Sequence, residues 1–190
     1  MRYIADTVDF ELKEPTVVTL GKFDGRHRGH QKLLRTMEEV KESLGYATAI
    51  FTFSTAPLTL VTGEIATVIT TSEERRHNME KMGIDYLVEY PFTDDVRKMD
   101  PAVFVKDILV KRMKAKAVVV GPDCSFGYKG AGNVELLRTL SRELDFRLYV
   151  IEKEKDHRRD ISSTYIREAL HDGNVKLANE LLGYRYYVSG

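Results

Sequence analysis

Five short runs rich in β-branched and aromatic residues, each separated from the next by helix-patterned chain, constrain this sequence most strongly. They lie at residues 16–20, 46–53, 86–90, 117–120 and 147–151. Residues 29–43 have helical spacing and stop at Gly45. Thr71-Ser72-Glu73-Glu74 supplies a cap and an acidic first turn for a helix to Lys81, closed by Gly83. Asp100-Pro101 opens another helix, with proline at its first position. Residues 134–144 predict a helix, and two short ones follow at 164–171 and 175–182, with Gly173 and Gly183 at their caps. Strands alternating with helices predict an α/β fold: a doubly wound, mostly parallel, five-stranded sheet with helices on both faces. Such sheets bind ligands beyond the carboxyl ends of their strands, near the switch in strand order.

With 190 residues the chain can bury one sizeable core, and residues 1–190 are expected to form a single domain. Its formal net charge of zero gives no electrostatic case for nucleic-acid or membrane binding. No apolar stretch reaches membrane-span length, and the first residues lack the apolar region of a signal peptide. The one cysteine, Cys124, cannot form an internal disulfide, which fits a reducing compartment; a cytoplasmic location is expected.

The chemistry concentrates where the first predicted strand feeds the first long helix. Gly21-Lys22-Phe23-Asp24-Gly25-Arg26-His27-Arg28-Gly29-His30 spans that junction. Unpaired N–H groups and the helix dipole favour anions there, and the glycines let backbone approach a ligand closely. His27 and His30 add donors or positive charge. A glycine-rich loop of this kind can also be chemically silent. An HxxH pair without a third ligand at a recognisable spacing assigns no metal site. The loop is neither a P-loop nor a dinucleotide fingerprint.

Two further segments belong with it. Ile161-Ser162-Ser163-Thr164-Tyr165-Ile166-Arg167 opens a helix with three hydroxyl residues, which can cap it or hold phosphate oxygens. Arg167 lies one turn beyond Thr164 and can clamp a phosphate. The glycine-rich segment Gly121-Pro122-Asp123-Cys124-Ser125-Phe126-Gly127-Tyr128, running on to Asn133, leaves a strand at the ligand edge. Phe126 and Tyr128 can pack on an aromatic ring, Asp123 can face a ribose or metal, and a plain surface loop is the alternative. Cys124 reads as a packed side chain, since no base partner is identifiable. The charge run from Lys153 to Asp160 reads as a solvated loop, with a substrate contact left open.

Taken in order, HxGH followed far downstream by ISSTxIR resembles the HIGH-type nucleotidyltransferase superfamily. The closer resemblance is to the FMN adenylyltransferase module of the bacterial bifunctional riboflavin kinase/FAD synthetases. The match is carried by Gly21 to Gly25, His27-x-Gly29-His30, Thr70 to Glu74, Asp85-Tyr86 and Pro91-Phe92-Thr93. It continues through Phe104-Val105, Val119 to Asp123, Phe126-Gly127, Gly132-Asn133, Ile161 to Arg167 and Leu181-Leu182-Gly183, so it covers nearly the whole chain. Three departures stand out. Phe53-Ser54-Thr55-Ala56-Pro57 replaces the usual Phe-Asp-Pro-His-Pro, Cys124 stands where an aromatic is usual, and the chain stops about where a riboflavin kinase domain would begin. Riboflavin kinase activity is therefore expected to be absent.

The resemblance implies synthesis of FAD and pyrophosphate from FMN and ATP, by in-line attack of the FMN phosphate on the ATP α-phosphorus. It implies catalytic roles for His27, His30 and Arg167. Nucleotide contacts would come from Gly21, Lys22, Phe23, Asp24, Gly29, Ser162, Ser163 and Thr164, and flavin contacts from Asp123, Phe126 and Tyr128. Mg²⁺ is expected with ATP, held mostly by phosphate oxygens and water, with no protein metal ligands assigned. The partners are the small molecules ATP and FMN, with no nucleic acid and no membrane; a monomer is the working expectation. The altered segment at Ser54 to Ala56 keeps two other readings open: a nucleotidyltransferase using CTP or another phosphorylated acceptor such as phosphopantetheine, or a flavin- or nucleotide-binding protein that has lost catalysis.

Overall fold

The computed structural model describes residues 1–54 and 67–188. Its main sheet has six strands: β1 (Arg2–Ala5), β2 (Thr16–Leu20), β3 (Ala47–Phe53), β4 (Tyr86–Tyr90), β5 (Ala115–Val120) and β6 (Arg147–Val150). They lie in the order β1-β4-β3-β2-β5-β6, and every neighbouring pair is parallel. The expected five-stranded sheet is thus corrected to six. The added strand, β1, is short and half-exposed, pairs with β4 alone, and has too little apolar alternation to register as a strand.

The winding explains where a site can form. From β2 the chain steps outward to β3 and β4, then returns to lay β5 on the other side of β2. The strand order switches between β2 and β5, and the connections leaving those two strands diverge above the sheet. Alternation along the strands feeds two cores. Val17, Ile50, Leu87 and Val119 meet α1 (Arg28–Leu44) and α2 (Ser72–Lys81) on one face. On the other, Val18, Ala49, Phe51, Val88, Val118 and Val120 meet α5 (Val134–Glu143) and the helix begun by α4 (Pro101–Val103). Between β4 and α4 lies the short α3 (Asp94–Arg97). Asp100 caps α4 through the N–H groups of Ala102 and Val103, and the helix continues as a π-helix over Phe104–Arg112, burying Phe104, Val105, Ile108 and Leu109.

A third cluster joins α6 (Ser163–His171) and α7 (Val175–Leu182) with Ile69 and Ile161. It brings the C-terminal helix pair over the loop that follows β2. The charge run expected as a solvated loop instead forms a hairpin, β7 (Lys155–Asp156) and β8 (Arg159–Asp160), with oppositely charged residues facing across it. His157 takes its turn in the left-handed region at φ 50°.

Candidate active site

The loop after β2 is held in a conformation its own residues would not choose. Phe23 has φ 52°, Arg26 φ 25° and Gly25 φ 76°. A side chain on Gly25 would meet Ile69 at 2.7 Å, so glycine is required there. Left-handed non-glycine residues persist only where surrounding contacts fix them. Asp24 supplies most of those contacts. Its side chain, 2% exposed, accepts hydrogen bonds through Oδ1 from the N–H groups of Ile69 (2.9 Å) and Thr70 (3.0 Å). Its Oδ2 receives Arg167 Nη1 at 3.1 Å. Its carbonyl accepts from the Ser163 hydroxyl at 2.7 Å. Asp24 therefore faces protein, and serves as the knot between the HxGH loop and the ISSTxIR helix.

His27 and His30 stand together at the start of α1. His27 is the N-cap, its Nδ1 accepting from the His30 N–H at 3.3 Å, which puts the proton of the neutral ring on Nε2. The two rings stack with centroids 3.7 Å apart, and the Phe23 ring lies 4.7 Å from His30 on a tilt. Burial lowers the pKa of His27 to about 4, against an opposing pull from Asp24. Burial holds His30 well below its ordinary value, and His27 lowers it further. Both rings are neutral N–H donors near neutral pH. His30 Nδ1 is buried without a hydrogen-bond partner among the described residues. An anion brought into the cavity would favour the protonated rings, so these groups can answer developing negative charge.

At the start of α6, Ser162 caps the helix by accepting from the Tyr165 N–H and also lines the histidine cavity. The Thr164 hydroxyl accepts from Arg167 Nη2 at 3.2 Å. Arg167 is thus oriented by two partners and remains partly open to solvent. The residues of the two motifs, far apart in sequence, share one corner of the molecule.

Two cavities open above the β2/β5 switch. One, of about 210 Å³, is lined by Phe23, His27, Gly29, His30, Ser162 and the polar edge Asp123, Glu152 and Lys153. The other, of about 340 Å³, is apolar and lined by Gly21, Lys22, Phe51, Phe53, Phe104 and Phe126. Leu20 and Cys124 belong to both walls. Cys124 has its thiol pushed up to about 11 by burial and by Asp123, so it is a packed side chain and no nucleophile at neutral pH. Asp123 is paired with Lys153 at 2.8 Å, and Lys153 also reaches Asp160 at 3.3 Å, tying the β7–β8 hairpin to this edge. Phe126 is buried against Phe104, while Tyr128 is 44% exposed and lies in an adjoining 460 Å³ cleft with Phe92 and Arg97. Thr55 to Pro57 of the altered segment lie outside the described residues; Phe53 and Ser54 are within them.

Sequence reasoning missed several of these residues. Phe51 and Phe53 read as part of a strand and Phe104 as part of a matching segment, with no cavity role for any of them, because periodicity cannot tell a core aromatic from one lining a cavity at a strand end. Ile69 binds Asp24 through its backbone N–H, which leaves no side-chain signature, and Thr70, matched only within the segment Thr70 to Glu74, binds it through both its N–H and its hydroxyl. Lys153 was hidden in a charge run. Among the described residues no three or more His, Cys, Asp or Glu side chains gather as a metal cluster, and no helix is long and apolar enough to cross a membrane.

Comparison with known proteins places this architecture. The chain is 32% identical to the bifunctional riboflavin kinase/FMN adenylyltransferase of Buchnera aphidicola subsp. Acyrthosiphon pisum over 95% of its own length and 58% of the relative's. It is 32% identical to the Escherichia coli K12 protein of the same description, over 94% of its own length and 57% of the relative's. It therefore spans a little over half of these curated relatives. A crystal structure described as a macrolide-efflux protein from Streptococcus pneumoniae superposes with a TM-score of 0.82 at 28% identity, covering 97% of this chain and 70% of that one. Pantoate-beta-alanine ligase from Francisella tularensis shares the fold alone, at TM-score 0.54 and 13% identity over 90% of this chain and 70% of that one. Residues 9–165, which hold the histidine loop, both cavities and the start of the Ser-Ser-Thr helix, match the FAD synthetase family, and the chain belongs to it.

Proposed function

We propose that this chain transfers the adenylyl group of ATP to the phosphate of FMN, giving FAD and pyrophosphate. The observation that carries the proposal is the pair of cavities. A chamber at a helix N-terminus, with two imidazole donors and Ser162 facing a charged edge of Asp123, Glu152, Lys153 and Glu154, adjoins an aromatic chamber, and they meet over Leu20 and Cys124. A triphosphate suits the first and an isoalloxazine ring the second.

An oxygen of the FMN phosphate attacks the α-phosphorus, the bond from that phosphorus to the bridging oxygen breaks, and the electron pair leaves with pyrophosphate. The attacking oxygen is already anionic, so no general base is needed. Catalysis is positioning and charge stabilisation. His27 and His30 donate N–H groups to phosphate oxygens, beside the backbone of Gly21 to Phe23 and Gly29. Ser162, Ser163, Thr164 and Arg167 hold the β/γ end, with Asp24 orienting Arg167. Phe126, Tyr128 and Asp123 belong to the flavin side. Among the described residues the site offers no protein cluster for a metal, and Asp123 and Glu152 line its cavity, which fits Mg²⁺ carried on phosphate oxygens and water. When bound, Mg²⁺ offsets charge on the departing pyrophosphate. The proposal includes a cytoplasmic location and small-molecule partners only.

The test is FAD formation from FMN, ATP and Mg²⁺ with pyrophosphate release followed in parallel. FAD that appears with the native chain and is lost in His30→Ala supports the reading. Binding of both substrates without turnover overturns it in favour of a binding protein. Turnover only with CTP or with another phosphorylated acceptor overturns the substrate assignment.

A further inference from the structure

Behind the histidine loop lies a buried ion pair that the proposed chemistry does not use. Arg75 on α2 and Glu89 on β4, each with its side chain 6% exposed, approach to 3.5 Å. The other Glu89 oxygen accepts from the Tyr3 hydroxyl at 2.7 Å, and that hydroxyl accepts from Arg76 at 2.8 Å. Arg75 Nη2 also donates to Ser72 Oγ at 3.3 Å. Arg75 Nε and Glu89 Oε1 have no hydrogen-bond partner among the described residues. A buried pair with a long contact and unsatisfied atoms is a poor stabilising device, because desolvation consumes its attraction.

Its geometry serves a local purpose instead. Arg75 Nη1 donates to the Lys22 carbonyl at 3.4 Å. That carbonyl belongs to the peptide leading into Phe23, the residue held at φ 52°. Downstream of Phe23, the chain is fixed by Asp24 and by the Gly25 N–H, which donates to Thr70 Oγ1 at 3.2 Å. Phe23 is clamped from both sides, and its ring sits against His30. Phe23, Leu34, Arg75 and Met79 line a void of only about 10 Å³, so the packing around the clamp is close.

We infer that Arg75, oriented by Glu89, is a positioning residue for His30: it fixes the Lys22–Phe23 peptide and, through the Phe23 ring, the imidazole. The inference rests on His30 serving the adenylyl transfer proposed above. Neither Arg75 nor Glu89 lines either of the two cavities, and β1 contributes through Tyr3.

The experiment uses Arg75→Met/Glu89→Gln, which removes both charges together and keeps an acceptor for Tyr3, alongside Arg75→Lys. Melting temperature, steady-state kinetics and NMR titration of labelled histidines are read on each. In the native chain His30 stays neutral through mildly acidic pH; His27 stacks on it, and Asp123, Glu152, Lys153 and Glu154 are the charged groups that share its cavity. The paired variant is expected to fold and to lose roughly 10- to 100-fold in kcat, as for a slight misplacement of a catalytic group. Its KM for ATP should move less than about threefold, since the triphosphate contacts remain. His30 should titrate closer to its ordinary value as Phe23 uncovers it, and Arg75→Lys should recover part of the turnover. A folded paired variant with native turnover and native His30 titration overturns the inference. If the paired variant does not fold, Arg75→Lys decides alone: an unshifted His30 and native kcat overturn the inference, and an intermediate shift with reduced kcat supports it. If the native chain makes no FAD, the proposed function fails, and the titration still judges the positioning.

Discussion

Acid should weaken this fold through its two buried imidazoles before the carboxylates act, and His27→Asn isolates the share of His27. Asparagine is a favoured N-cap and can accept the His30 N–H in place of Nδ1, so the helix start is kept while the titrating group is removed. His27 is 7% exposed and its folded pKa lies at about 4, against about 6.5 in an unfolded chain. Between those values the unfolded chain binds a proton that the native protein refuses, so stability falls as pH falls from about 6.5 towards 4. At 1.36 kcal/mol per pKa unit the complete loss is about 3 kcal/mol, of which about 2 kcal/mol falls between pH 7 and 5. His30 adds a loss of the same sign. Urea unfolding at pH 7, 6 and 5 measures it. The native chain should lose at least about 2 kcal/mol more than His27→Asn over that interval. Parallel pH dependences in the two proteins would show that folded His27 takes up its proton as readily as in the unfolded chain, which would refute the burial-lowered pKa.

Three further outcomes follow from the site. His30→Ala should lower kcat by roughly 10²- to 10³-fold, with ATP affinity changed far less; equal loss of affinity with intact kcat would remove His30 from the transition state. Asp24→Ala leaves the Ile69 and Thr70 N–H groups and Arg167 without their buried acceptor, and should cost about 3–5 kcal/mol in chemical unfolding; a loss under about 1 kcal/mol would refute its role as the knot. Alkylation of Cys124, the one thiol in the chain, should be slow at pH 7 because its pKa is about 11. It should be slowed further by ATP alone and by FMN alone, as a residue lining both cavities requires; protection by one ligand only would show that the cavities are not neighbours in solution.

Much of the fold was legible because burial on both faces leaves continuous apolar runs. β2, β4 and β5 are almost wholly buried and read directly as strands. β1 was not legible, since one face is open and Arg2 and Tyr3 look like surface residues. The β7–β8 hairpin was hidden because its pairing rests on opposed charges, which read as solvation in a linear sequence. At the site, Gly25, His27 and Ser162 announced themselves through backbone and capping chemistry. The link from Asp24 to Arg167, and the buried pair Arg75–Glu89, could not be read: each joins distant elements, and nothing in a residue's type says which distant charge it will meet.

The shared wall at Leu20 and Cys124 bears on timing as well as on geometry. In the proposed reaction two substrates would occupy the two chambers beforehand, each able to leave independently. In the proposed transfer the product would be a single molecule with a foothold in both, and when one half lets go the other would keep it at high local concentration for rebinding. Departure then requires both footholds to release together. The proposed cycle is therefore expected to have its slow step after the bond is made, read as a rapid first turnover followed by a slower steady rate.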